Sequence, residues 1–131
     1  RAMRRFVLCF LLALPVAALA GRPDVAPAAV DELMARDDAP LLIDVRTPEE
    51  YAQGHLPGAV LIPHDQLASR LDEIPRDRWV LVYCRSGKRA SAAEEVLEEA
   101  GYEVRQVEGS WLRWEAEGLP VEMPESEENP R

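Results

Sequence analysis

Residues Val80 to Ala93 read Val-Leu-Val-Tyr-Cys-Arg-Ser-Gly-Lys-Arg-Ala-Ser-Ala-Ala: an apolar run closes on a cysteine, and a short loop then opens an alanine-rich segment. A short apolar, β-favouring run bounded by a turn signal is the pattern of a buried strand. Glycine followed by good helix formers is the pattern of a helix start. Cys84 thus falls where the carboxyl end of a strand faces the amino terminus of a helix. Backbone N–H groups that lack helical partners carry partial positive charge there. Arg85, Lys88 and Arg89 add full positive charges close by. Both influences favour a thiolate over a thiol, and the thiolate is the nucleophile. The loop also suits a small anion, because successive N–H groups closed by a glycine-bearing turn form an anion-binding nest.

A cysteine at the end of an apolar strand is ordinarily a small inert hydrophobe. The three cations and the glycine beside Cys84 weigh against that reading, since packing a thiol in a core calls for none of them.

Outward from this stretch, short β-like runs alternate with helical patterns, which predicts an α/β fold built on a parallel sheet. Arg22 to Ala26 offers a short edge strand. Pro27 to Arg36 follows as a helix, with proline in the first turn and Val30, Leu33 and Met34 on one face. Leu41 to Val45 reads as a buried strand that delivers Asp44 and Arg46 at its carboxyl end. Thr47 and Glu50 have capping-box spacing and predict a short helix running to Gly54. A turn through His55 and Gly58 leads into a strand from Ala59 to Ile62, and Leu67 with Leu71 suggests a further short helix over 65–71. Ala93, Val96, Leu97 and Ala100 form the buried stripe of the helix after Cys84, which Gly101 is placed to end. Tyr102 to Val107 reads as the last strand, and Ser110 is placed to cap a final helix to Glu117. The chain from 123 to 131 has little to bury and is expected to be a disordered acidic tail.

Composition narrows the function classes. Arg4 and Arg5 precede the apolar run Phe6 to Ala18, and Ala18-Leu19-Ala20 supplies small residues before Gly21. That predicts a signal peptide over 1–20, cut after Ala20, and a periplasmic or secreted product. The run is shorter than the ~20 residues that span a bilayer, so no stable membrane anchor is expected. The full chain of 131 residues carries a net charge of −9; without the first twenty, 12 basic residues face 24 acidic ones, a net charge of −12. Such a surface repels nucleic acid and anionic lipid, and neither is expected as a partner. The remaining length suits one domain, and Cys84 is then its only cysteine, because Cys9 leaves with the signal. An unpaired thiol kept in an exported protein is a functional flag. With only His55 and His64 as histidines, no zinc site is expected, and no other cofactor is implied.

The stretch Cys84-Arg85-Ser86-Gly87-Lys88-Arg89-Ala90 resembles the active-site loop of the rhodanese family, the thiosulfate sulfurtransferases. Asp44 to Tyr51, Gly54 to Ala59, and Gly109 to Trp114 through Gly118-Leu119-Pro120-Val121 resemble further segments of that family, in its order. The resemblance covers a single rhodanese domain over 26–122. It implies a five-stranded, mostly parallel sheet with helices on both faces and Cys84 on the loop after the central strand. It also implies double displacement: Cys84 takes a sulfane sulfur from thiosulfate or a similar small anionic donor, becomes a persulfide, and yields that sulfur to cyanide, a thiol or a protein acceptor. Arg85, Ser86, Gly87, Lys88 and Arg89 would bind the donor, with Asp44 and Arg46 supporting the cleft. A persulfide carrier or a non-catalytic binding module for a protein partner is the alternative. A related phosphatase or arsenate reductase would place an arginine six positions after the cysteine, where this chain has Ala90.

Overall fold

The computed structural model describes residues 22–125. The expected signal peptide and the chain from 126 onward lie outside the described residues. Four strands, β1 (Leu41–Asp44), β2 (Val60–Leu61), β3 (Val80–Tyr83) and β4 (Val104–Gln106), form one sheet in the order β2-β1-β3-β4, with every pair parallel. Parallel neighbours need crossover connections. The helices α1 (Val30–Met34), α2 (Pro48–Ala52), α3 (Lys88–Glu99) and α4 (Ser110–Ala116), together with short 3₁₀ turns, supply or flank them.

The sheet is covered on both faces, and strand alternation decides which side chain goes where. Ile43, Val45, Val80, Val82 and Cys84 point to one side, where Ala90, Ala93 and Leu97 of α3 close over them with Leu67 and Ile74. Leu42, Leu81 and Tyr83 point to the other, against Val30 of α1, Trp114 of α4 and Leu56. All four residues of β3 are wholly buried, as a strand packed on both faces must be. Burying each such side chain is worth about 1.5–3 kcal/mol before the entropic cost of ordering it.

The sheet has four strands where five were expected. The anticipated edge strand at Arg22 to Ala26 is in the anticipated place beside β4, yet it contributes a single parallel bridge, Val25 to Val107. The Val25 N–H donates to the Gln106 carbonyl and the Val25 carbonyl accepts from the Glu108 N–H, both at 2.8 Å. Pro23 and Pro27 bracket that residue; neither can donate to a ladder, so the pairing cannot extend. The same shortening affects 65–71, where the structure has only a 3₁₀ turn at Leu67–Ser69. Thr47 and Glu50 do form the capping box, and Gly101 ends α3 in a left-handed conformation with its N–H donated to the Glu98 carbonyl.

Candidate functional site

The carboxyl ends of β1 and β3 lie side by side, with Asp44 in register with Tyr83. From there the chain runs Cys84, Arg85, Ser86 and Gly87 into α3. Gly87 has φ +116°, a conformation that L side chains rarely adopt; a Cβ there would meet no atom within 4 Å, so backbone geometry rather than room requires glycine. The turn it makes brings the Gly87 N–H to 3.0 Å from the sulfur of Cys84, to which it donates. Of the loop N–H groups expected to cradle the sulfur, this is the one that hydrogen-bonds to it.

The cations are arranged differently from the expectation. Cys84 is only 1 % exposed, packed among Val45, Val82 and Ala90. Arg85 and Lys88 extend into solvent. Arg89 turns instead to α2 and grips Glu50 with both guanidinium branches, Nη1 to Oε1 at 2.7 Å and Nη2 to Oε2 at 3.0 Å. This pairing pulls the Glu50 carboxyl down to about 2, helped by the Thr47 N–H and hydroxyl that also donate to it. The guanidinium is raised in turn, chiefly by Glu50, with smaller contributions from the charges of Cys84 and Asp44. Arg89 is therefore a fixed positive charge in the electrostatic reach of the sulfur, already neutralised by a carboxylate. A ring of three free cations around an open thiolate is not what this chain builds.

Asp44 and Arg46 pair with each other, at 2.7 Å and with the side chains 0 % and 3 % exposed. The Arg46 N–H and Nε both donate to Oδ1, Nε and Nη2 donate to Oδ2, and Nη2 also reaches the Gly54 carbonyl at 2.7 Å. The Tyr83 hydroxyl donates to Asp44 Oδ2 at 2.6 Å and accepts the Leu56 N–H at 3.1 Å. Burial and the neighbouring carboxylate push the tyrosine pKa upward, so it stays a neutral donor. Two buried charges survive here because their lone pairs and protons are matched. Above the pair, the Arg46 guanidinium lies 4.5 Å from the centre of the Trp111 ring. The cluster braces the wall of the pocket through Arg46 and makes no hydrogen bond to the sulfur.

Beside the loop is an open pocket of about 160 Å³ lined by Arg46, Glu50, Gln53, Arg85, Trp111 and Glu115. Cys84 does not line it, but Arg85, the next residue, does. Of the expected site residues, the structure brings together Cys84 and Gly87 around the sulfur, and Arg46 and Arg85 around the pocket; Ser86 and Lys88 are exposed and line neither. Tyr83 and Glu50 were not singled out as site residues, and only the contact across the fold reveals them.

Ser110 was expected to cap α4, and it does not. Gly109 occupies the cap position, and the Ser110 hydroxyl oxygen accepts the Cys84 N–H at 3.3 Å. The Trp111 N–H donates to the Cys84 carbonyl at 3.0 Å and the Leu112 N–H to the Arg85 carbonyl at 3.1 Å. The first turn of α4 therefore holds the main chain of the cysteine loop from one side while α3 meets its sulfur from the other. His55 is 1 % exposed and stacks on Tyr51 with ring centres 3.8 Å apart.

Comparisons with known proteins bear on the fold that carries this site. The sequence profile described as "Rhodanese-like domain" matches residues 26–117. A sulfurtransferase of Allochromatium vinosum is 44% identical over 86 residues, 65% of this chain and 80% of that protein. The thiosulfate sulfurtransferase PspE of Escherichia coli is 42% identical over 62 residues, 46% of this chain and 60% of that protein. The crystal structure of a rhodanese-related protein from Thermoplasma volcanium superposes with a TM-score of 0.70 at 30% identity, over 78% of this chain and 99% of that one.

Proposed function

The chain belongs to the rhodanese-like domain family, and from that premise we propose that it transfers sulfur from thiosulfate to a thiophilic acceptor through a persulfide on Cys84. The observation that carries this reading is the Gly87 N–H donated to the Cys84 sulfur at 3.0 Å, at the head of a twelve-residue helix. A hydrogen bond to sulfur and the positive end of a helix both favour the anion over the neutral thiol. The sulfur also stands at the carboxyl end of a central strand, where open α/β sheets bind their ligands.

In the first step the Cys84 thiolate attacks the terminal sulfur of thiosulfate. A new sulfur–sulfur bond forms to the enzyme, the donor's sulfur–sulfur bond breaks, and its electron pair leaves with sulfite. In the second step the acceptor attacks the outer sulfur of the persulfide, and the electron pair returns to Cys84. Splitting the transfer in this way replaces one difficult step by two easier ones. Arg85, at the rim of the pocket, is the cation placed to meet an incoming anion, while Arg89 holds the loop to α2 through Glu50. The near-complete burial of Cys84 favours donors and acceptors that present a single small atom. Export after Ala20 is part of the proposal; the mass of the secreted product tests it, and a product retaining the first twenty residues would refute it.

Supplied with thiosulfate and cyanide, the protein is expected to form thiocyanate with ping-pong kinetics, and Cys84→Ser to lose about 1,000-fold or more of that rate. Kinetics that require a ternary complex, or turnover surviving in Cys84→Ser, would overturn the mechanism. A stable persulfide without turnover would make the protein a carrier.

A further inference from the structure

Ser110 is the one non-glycine residue in the left-handed region among the described residues, with φ 52°. It follows Gly109, itself at φ +72°, where a Cβ would lie 2.5 Å from the Cβ of Arg113, so the tight turn into α4 depends on glycine there. The next position has no such requirement. Left-handed backbone is strained for a serine and free for a glycine, and this chain uses glycine at six other left-handed positions. A serine retained under strain, and 1 % exposed, points to a use for its hydroxyl.

That use is visible in the contact it makes. The Cys84 N–H emerges just beyond β3, on the side where the neighbouring strand β4 has already ended at Gln106. It is buried, and the Ser110 oxygen is the acceptor that satisfies it. With the Trp111 N–H on the Cys84 carbonyl, the turn grips both main-chain polar groups of the nucleophile. Only one further bond, from the Gly87 N–H, fixes the sulfur itself.

We propose that Ser110 is a positioning residue for the transfer reaction, its hydroxyl oxygen anchoring the Cys84 main chain so that the sulfur stays against the Gly87 N–H. The proposal rests on the sulfurtransferase reading for its consequence in catalysis, and on geometry alone for its effect on the thiol. The charged groups around the cysteine loop are Arg89 of α3, paired with Glu50 of α2, the Asp44 and Arg46 pair ending β1, and the solvent-exposed Arg85 of the loop and Lys88 of α3. Replacing Ser110 alters none of them. A change in the titration of Cys84 then reports its position rather than a lost charge.

Ser110→Gly and Ser110→Ala both remove the acceptor but act oppositely on the strain, which glycine relieves and alanine keeps. The test measures iodoacetamide alkylation of Cys84 against pH, the single-turnover rate of persulfide formation from thiosulfate, and the melting temperature of both variants. If Ser110 positions the nucleophile, both variants shift the alkylation midpoint upward by about 0.5–1 pH unit and slow persulfide formation about tenfold, although Ser110→Gly melts no lower than the unaltered protein and Ser110→Ala melts lower. If Ser110→Gly matches or exceeds the unaltered protein in both rate and midpoint, the residue serves only the turn and the proposal fails. Should Ser110→Gly not fold, a folded Ser110→Ala with an unchanged midpoint would refute it equally. An unaltered protein that forms no persulfide, with the midpoint still shifted in the variants, would reject the sulfurtransferase reading and leave the positioning role standing.

Discussion

At the two ends of the sheet the chain places arginine beside carboxylate in very different settings. At the amino ends, Arg22 with Glu103 and Arg36 with Asp38 form pairs whose side chains are all more than half exposed. At the carboxyl ends, Asp44 and Arg46 are buried, with the Tyr83 hydroxyl donating to Asp44, the Gly54 carbonyl accepting from Arg46, and the Leu56 N–H donating in turn to Tyr83. The Arg89 and Glu50 pair is intermediate, with about a quarter of each side chain exposed. Identical charge chemistry thus serves different ends. In water it is screened and adds little; in the interior it fixes geometry, because a buried charge tolerates only an arrangement that satisfies it. The end of the sheet that bears Cys84 is the end so fixed.

The sharpest way to break this comparison is Asp44→Asn. It leaves the Arg46 guanidinium buried without a counter-charge and is expected to cost about 3–5 kcal/mol in chemical denaturation. A loss no larger than that of an exposed pair would show that burial is not what distinguishes the two ends. The intermediate pair sharpens the scale. Glu50 is lowered from 4.5 to about 2 by Arg89 and by Thr47. A depressed carboxyl contributes stability that is fully present above the unfolded value and fades as pH falls through the folded one, so that part of the stability should decline between about pH 4.5 and 2. Glu50→Gln should lower the melting temperature by about 1–4 °C at neutral pH and remove this part of the acid dependence. An unaltered acid profile would mean that the pair is not formed in solution. Smallest of all, Arg22→Ala should leave the melting temperature unchanged within error, since its partner Glu103 is as exposed as the arginine.

What the sequence revealed depended on how local the signal was. The join from Val80 to Ala93 was read correctly because its parts are adjacent: an apolar strand, a glycine, helix formers. Thr47 and Glu50 likewise announce their capping box within one turn. The network behind Cys84 is not local. Tyr83 meets Asp44 and Arg89 meets Glu50 across 39 positions in each case, and Ser110 meets Cys84 across 26. No pairing rule in the sequence selects those partners from the others available. Ser110 was misread for a physical reason: serine before a helical segment is normally a cap, but Gly109 takes the cap position and turns the hydroxyl toward the cysteine. The loop cations were assigned by proximity along the chain, which placed them near the sulfur but could not show that Arg89 is taken by Glu50. The expected edge strand is held to a single bridge by Pro23 and Pro27, one on each side of it.

The central claim is that the sulfur of Cys84, held against the Gly87 N–H, accepts and releases a single sulfur atom. Intact mass before and after thiosulfate, and again after cyanide, tests it most directly. A gain of about 32 Da, one sulfur, that cyanide removes and that Cys84→Ser does not show is the result predicted. No gain in the unaltered protein, or the same gain in Cys84→Ser, would contradict it.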